Sequence, residues 1–457
     1  MQSIPTDLKK RIPLIGEEHL DMLLKLQEHE HAPKWNYTCG DRITESDLEI
    51  INQFEKQISS ERELRSIEPS AKFLDWAEEI IPHVSLFRKN SESISIRKEF
   101  AKIKCTSRKD LALNLSDIVP EEISLDRIIV NTTSGTTGHS IKVPSRPDAI
   151  GCNSPLMMFA LHQNGIVPQF QKDKMGCILV CYQETTAVYN TVTPMLNGCG
   201  FAKINLHPNS WKHSEDAKKF IEDLQPPILT GDPISFSELL KLDLQYSPKA
   251  LVSTAMEMNF VLKKTLEEKL NTKVIDFFSA NDTGPIFYKC SQNEFHLLPT
   301  DVHLEITNDS GECLVEGEFG EITLTRGRNP FVPMLRYKTN DFGKLDLSPC
   351  ACGDSMPRVL ELQTRKPVLY LNEVNQRINP VDIARVIKNF PVLQFLFLQK
   401  KDRACVLSLR PFDILSDREM KKLRFEIEKL FFNKIQLSID TDLSPKDKLI
   451  SFQSELN

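Results

Sequence analysis

Four clusters of residues in this 457-residue sequence combine types and spacings that chemistry can use. The first is Asn131 to Ser140, NTTSGTTGHS, which follows the apolar LDRIIV and packs six hydroxyl residues and two glycines into ten positions. Glycines let a backbone fold close to an anion, and successive N–H groups with Ser and Thr hydroxyls supply donors without placing charge in the way. The GxxxxGK[ST] spacing of a Walker A loop cannot be matched from Gly135 or Gly138, which disfavours a P-loop NTPase. An exposed Ser/Thr/Gly loop between two strands is the alternative reading of this segment alone.

The second cluster, DFFSANDTGP from Asp276 to Pro285, ends an apolar run in a small polar turn that carries the carboxylate of Asp282. The carboxyl end of a parallel strand is where α/β sheets bind ligands. The bland alternative is that Asp282 caps its own turn. The third, RYKTNDFG from Arg336 to Gly343, places Asp341 where by itself it reads as a turn residue. The fourth joins Cys350-Ala-Cys352 to Cys290 and His296. Three thiolates and an imidazole suit a tetrahedral structural Zn²⁺, and four unrelated residues among eleven cysteines and ten histidines is the competing reading.

These clusters need a scaffold, and the hydrophobic pattern outlines one. In the first hundred residues EEHLDMLLKLQEH, ESDLEIINQFEKQI and SAKFLDWAEEIIPH repeat apolar residues every three and four positions, predicting an N-terminal helical layer over residues 1–100. Beyond about residue 125, KMGCILVCY, PPILTG, KALVSTA and TKVIDFFSA read as strands separated by the helical SEDAKKFIEDL and FVLKKTLEEKL, the pattern of a parallel α/β sheet. GECLVEGEFGEITLTRGR reads as a hairpin near the end of a large unit. After Arg365, Asn379 before Pro380 and Ser416 with Glu419 cap two helices among the strands VLQFLFLQK, RACVLSLR and KIQLSID. The expected architecture is α/β: a large N-terminal domain over 1–365 with mixed or parallel sheets, and a small α+β domain over 366–457.

At about 150 residues per domain, this length suits two to four domains. With 40% hydrophobic and 26% charged residues the chain is an ordinary globular protein, and its net charge of −6 creates no strong attraction to nucleic acid or an anionic membrane. No apolar stretch reads as a signal peptide or membrane span, so a cytoplasmic location with reduced cysteines is expected.

TSGTTG, Thr133 to Gly138, resembles the signature phosphate loop of the acyl-adenylate-forming superfamily, which includes the acyl-CoA ligases. Two further segments resemble that family's motifs in the right order, so the likeness spans roughly residues 125 to 450. DFFSANDTGP is similar to the family's aromatic-G-x-T-E-x-G motif, with Ser279, Asn281 and Asp282 standing where glycine, threonine and glutamate are usual. RYKTNDFG is similar to RYxTGDxG, with Asn340 in place of glycine. The resemblance implies that Thr133, Ser134, Gly135, Thr136, Thr137 and Gly138 cradle the phosphates of ATP. It implies that Phe278, Ser279, Ala280 and Asn281 line the adenine, that Asp282 helps hold Mg²⁺, and that Asp341 binds both ribose hydroxyls.

By the same resemblance, Arg365 is the hinge arginine, with Arg358 its rival, and Lys448 in LSPKDKL is the catalytic lysine, with Lys446 its rival. The segment NEVNQRINPVDIARVIKNF and the Cys290, His296, Cys350, Cys352 set resemble the phenylacetate-CoA ligase-like branch, some members of which bind a structural metal there. The implied activity is adenylation of a small carboxylic acid, aromatic by family-level expectation. Acyl transfer to coenzyme A follows, or to a carrier-protein thiol or other acceptor. A catalytically weak nucleotide-binding regulatory protein is the rival from another class, and a homodimer is an open option. YNTVTPMLNGCGF (Tyr189 to Phe201) and Ser253 to Met256 are the candidate walls for the acid.

Overall fold

The computed structural model describes residues 4–60, 68–133, 141–299, 302–364, 368, 370–444 and 451–456. Strands Met175–Cys181, Ile228–Gly231, Ala250–Ser253 and Lys273–Ala280, all expected from apolar runs, lie side by side in parallel. Ile178, Leu229 and Leu251 face one core with helices Glu17–Gln27, Asp216–Leu224 and Phe260–Leu270. Their neighbours Cys177, Ile228 and Ala250 face a second core against helix Asn153–Gln163. A strand buried on both faces has no polar alternation, which is why these segments read as continuous apolar runs.

Among the described residues this sheet has thirteen strands and is mixed. Past Lys273–Ala280 it becomes antiparallel through Gly284–Lys289, Phe295–Leu297, Arg358–Thr364, Met334–Asp346, Phe319–Arg326 and Val302–Thr307. The three N-terminal helices form as predicted, but they disperse over separate cores. Met22 and Leu26 enter the first core, Ile58 the second, and Ala77 a third with Val84, Phe87 and Phe100. No helix among the described residues is long and apolar enough to cross a membrane.

The predicted hairpin GECLVEGEFGEITLTRGR forms only its second arm. Phe319–Arg326 pairs with Val302–Thr307, and Cys313 contributes a single isolated bridge to Thr307. The reason is burial: all six residues of Val302–Thr307 are buried, whereas Val315 is 66% exposed. Nor does the hairpin close the large sheet, because Met334–Asp346 and Arg358–Thr364 extend it.

The C-terminal residues build a separate four-stranded sheet in the order Leu437–Asp440, Cys405–Pro411, Val392–Gln399, Phe452–Ser454. The short last strand was not anticipated. Helices Pro380–Ile387 and Asp417–Leu430 share its core through Ile383, Leu423 and Ile427. Both expected caps are present: Asn379 Oδ1 accepts from the Val381 N–H at 3.0 Å, and Ser416 and Glu419 form their capping box.

This sheet touches the large one through charge. Lys388 Nζ lies 2.6 Å from Glu257 Oε2, and Lys289 Nζ reaches Glu257 at 3.0 Å and Asp276 at 3.4 Å. Burial alone would raise Glu257, but Lys388 and Lys289 outweigh it and hold the carboxyl down to about 2. A carboxyl depressed from its ordinary 4.5 stabilises the fold above that value and loses the contribution as pH falls towards 2. Stability measured by denaturant between about pH 5 and 2 should therefore fall less steeply in Glu257→Gln than in the wild type; parallel profiles would contradict the assignment.

The deepest ion pair joins Arg336 to Glu305, each side chain 2% exposed. Arg336 Nε lies 3.2 and 3.1 Å from the two Glu305 oxygens, and its Nη atoms donate to the carbonyls of Ala101, Ile103 and Gly311. Removing one partner of a buried pair strands the other charge, at a cost of about 3–5 kcal/mol. Arg336→Met should lose that much in urea denaturation, and a loss below about 1 kcal/mol would show that the pair holds little.

Candidate functional site

Strand Lys273–Ala280 folds back into Gly284–Lys289 with Ala280 opposite Gly284, so Asn281, Asp282 and Thr283 form the turn at the carboxyl end of a parallel strand. Gly284 has φ +70°, and a Cβ there would lie 2.8 Å from Arg328 Nη2. Both the backbone angle and the packing therefore require glycine.

Asp282 is buried, and its carboxylate is shared. Oδ2 accepts from Arg108 Nη1 at 3.0 Å and from the Tyr337 hydroxyl at 2.7 Å, while Oδ1 accepts from the Thr283 N–H at 3.2 Å. Burial first, then the charge and hydrogen bond of Asp282, push the Tyr337 phenol well above its ordinary value, so it stays a proton donor. Asp341 also acts on this phenol. Arg326 secures the turn from behind, donating to the carbonyl of Thr283 and, at 3.0 Å, to that of Pro285.

Asp341 sits on strand Met334–Asp346 opposite Thr364, with its N–H bonded to Thr339 Oγ1 at 3.1 Å. The preceding Asn340 has φ +64°, the conformation that glycine or asparagine tolerates, and its N–H donates to Glu321 Oε1 at 3.1 Å. Phe278 is half-buried, edge-on to Phe295 and tilted against Phe287, with Ser279 and Ala280 ending its strand and Asn281 exposed. Asp282 and Thr283 line an open cleft with Asn131, Ser145, Asn153, Arg326 and Arg328. Asn131 belongs to strand Ile129–Thr133, which pairs with Ile141–Ser145 on either side of the hydroxyl-rich loop.

Ser134, Gly135, Thr136, Thr137, Gly138, Arg365, Lys446 and Lys448 lie outside the described residues, and Thr133 is described by its backbone alone. Arg358 pairs with Asp346 and donates to Ser348 Oγ at 2.8 Å, so it serves the sheet. The two candidate acid walls come from different strands, and Phe201 at the end of the first packs against the core that holds Ala250 and Val252. Ser253 is in register with Asp276 on the strand that leads to the Asp282 turn, while Tyr189–Thr193 lies four strands away from Ala250–Ser253, roughly 19 Å at strand spacing.

Arg108, Tyr337, Arg326 and Arg328 are polar contributors to this region that carried no assigned role. Tyr337 lay inside a motif whose aspartate drew the attention. The signal for the two arginines was their position, flanking Gly327 at the end of an apolar strand where a Cβ would run into the Trp76 indole.

The four predicted metal ligands do come together. Cys290, His296, Cys350 and Cys352 place their ligand atoms within 4.8 Å of one another, with Cys290 Sγ 4.0 Å from Cys350 Sγ and Cys352 Sγ 3.4 Å from His296 Nε2. A tetrahedral ion with bonds of about 2.0–2.3 Å holds its ligand atoms about 3.5–3.8 Å apart. His296 Nδ1 meets the Met356 carbonyl at 3.0 Å, which leaves Nε2 as the ligating nitrogen. The N–H groups of Gln292 and Asp354 point at the sulfurs of Cys290 and Cys352, at 3.3 and 3.4 Å. The donor set, its spacing and this supporting shell fit a structural metal.

No family model matches the chain. Phenylacetate-coenzyme A ligase of Thermus thermophilus is 26% identical over 202 residues, which are 40% of this chain and 44% of that enzyme, so the match spans less than half the relative's length. Among solved structures, 2-hydroxyisobutyryl-CoA ligase in the postadenylation state with R3-HIB-AMP superposes with a TM-score of 0.63 at 13% identity, over 92% of this chain and 96% of that one. Its open conformation with 2-HIB-AMP and CoA gives 0.56 at 13% identity, over 93% and 99%. These likenesses establish the fold.

Proposed function

We propose that this chain, which has the fold of the adenylate-forming CoA ligases, activates a small carboxylic acid with ATP and passes the acyl group to the thiol of coenzyme A. The observation that carries the reading is the Tyr337–Asp282 hydrogen bond, which ties the turn at the parallel strand's end to the strand that bears Asp341. That the relative is a phenylacetate-coenzyme A ligase favours an aromatic acid.

In the first step an acid oxygen bonds to the α-phosphorus of ATP, and the bond to the bridging oxygen breaks with its electron pair leaving on pyrophosphate. In the second, a thiolate sulfur attacks the acyl carbon and AMP departs. The protein positions charge rather than forming bonds of its own. Asp341 accepts from the two ribose hydroxyls, Phe278 with Ser279, Ala280 and Asn281 lines the adenine, and the loop from Thr133 through Ser134, Gly135, Thr136, Thr137 and Gly138 donates to phosphate oxygens. Lys448 neutralises charge between carboxylate and phosphate, and Arg365 marks the hinge about which residues 366–457 turn between the two steps.

Asp282 fits Mg²⁺ as a hard oxygen donor, but three donors already share its roughly four lone-pair sites, which suits contact through water. The metal's chemistry would be to neutralise the phosphates. The engagement of Asp282 by Arg108 and Tyr337 is also the one observation that favours the rival reading, a nucleotide-binding protein of weak activity. Carboxylate-dependent ATP–pyrophosphate exchange decides. We expect exchange with one class in a panel of aryl and short aliphatic acids, falling at least about a hundredfold in Asp341→Ala and in Lys448→Ala, by the scale of losing a transition-state contact. Exchange with no acid despite ATP binding would favour the rival.

Cys290, His296, Cys350 and Cys352 would hold one zinc with no open position, fastening loops rather than reacting. Elemental analysis of purified protein should give about one zinc per chain, and Cys350→Ser with Cys352→Ser should abolish it and lower the melting temperature. Metal-free protein of unchanged melting temperature would refute the assignment.

A further inference from the structure

Phosphate loops commonly include a basic residue, yet Asn131 to Ser140 contains no lysine or arginine, and the next cation, Lys142, is exposed on strand Ile141–Ser145. Any protein cation facing phosphates in the cleft therefore comes from elsewhere. Two guanidinium groups line it, and they differ in what they do. Arg326 is committed to the carbonyls of Thr283 and Pro285.

Arg328 has no such commitment. Its Nη1 is buried without a hydrogen-bond partner among the described residues. Its guanidinium lies 5.9 Å from the Phe54 ring centroid, a contact that uses the face of the cation and not its N–H groups. Nη2 lies 2.8 Å from the position that a Cβ on Gly284 would take, and Asn153 Oδ1, another buried atom without a partner among the described residues, lies 3.7 Å from the same point. An unsatisfied buried donor is costly, and a fork of N–H groups is the geometry that matches phosphate oxygens.

We infer that Arg328 receives the pyrophosphate end of ATP in this cleft, with Arg326 as the residue that positions the neighbouring turn. The inference deepens the adenylation reading and rests on it for the identity of the phosphate donor. As the bond from the α-phosphorus to its bridging oxygen breaks, the electron pair goes to pyrophosphate, and Arg328 meets the charge that develops there. Asp282 lines the same cleft, so cation and carboxylate both stand near the leaving group.

Calorimetric titration of the full chain with inorganic pyrophosphate, ATP and AMP, each with magnesium, tests this in wild type, Arg328→Gln and Arg328→Lys. Loss of a charge-assisted phosphate contact should weaken pyrophosphate and ATP at least about tenfold in Arg328→Gln while AMP changes less than about twofold. Arg328→Lys should recover part of the pyrophosphate affinity, which also guards against a glutamine variant that folds poorly. Unchanged pyrophosphate affinity in both variants, or an equal loss for AMP and ATP, overturns the inference. Should the wild type bind neither ATP nor AMP, the adenylation reading fails, while the pyrophosphate titration still decides whether Arg328 holds an anion.

Discussion

The site depends on one buried ion pair. Taking Arg336 and Glu305 out of water costs several kcal/mol per charge, and the pair is tolerable because each charge is answered by several hydrogen bonds. Arg336 also caps the carbonyls of Ala101, Ile103 and Gly311, so one guanidinium gathers three stretches of chain about strand Met334–Asp346. Its φ of +44° is unusual for a residue with a side chain, and this web of contacts holds it there. The consequence appears one residue later. Tyr337 leaves that bend in parallel register with Thr106, and Thr106 Oγ1 donates to the Leu335 carbonyl at 2.9 Å. Ser107 then caps the short helix Arg108–Leu113, bringing Arg108 to Asp282 from the side opposite the turn.

Asp282 thus has a cation and a phenol supplied by the same clamp and a backbone N–H supplied by its own turn. A carboxylate so supported holds its direction. The same support limits it, since every lone pair given to Arg108 or Tyr337 is withheld from a metal. Shortening glutamate to aspartate has a physical sense here: the shorter arm keeps the charge at the wall, within reach of Tyr337, and leaves the cleft to ligand and water.

What could be read from the sequence followed from locality. Strands buried on both faces show as apolar runs, and caps such as Asn379 and Ser416 with Glu419 act within three residues, so both were legible. The turn carrying Asp282 was legible because φ and polarity are local. The Cys and His set was legible by residue type, although its two halves lie far apart in the chain. Arg108 was not, because its partner lies 174 residues away and no local pattern records the pairing. Nor was the pairing of Phe319–Arg326, since the choice between Glu312–Val315 and Val302–Thr307 is made by burial against Leu304 and Ile306 in a core that only the assembled sheet creates. The place of Tyr189 to Phe201 in the sheet was not legible either, because strand order is a property of the whole sheet.

The Cys and His set lies in the strand system that presents Asp282. Gly284–Lys289 runs from the turn straight to Cys290, and His296 stands opposite Tyr288 on the next strand. The Tyr288 hydroxyl is bonded to Asp354, whose own N–H reaches Cys352, so the hairpin's far end is tied into the ligand cluster through side chain and backbone alike. A hairpin on its own is marginal in water and slips or frays at its ends. This one is fastened at both: Arg326 grips the carbonyls of Thr283 and Pro285 at the turn, and the cluster grips Cys290 at the base. Ala250–Ser253 and Phe295–Leu297 flank the hairpin in the sheet, and the two anchors add to that pairing in setting where Asp282 stands. The cluster therefore bears on the cleft without touching it, through the rigidity of the six residues that join them.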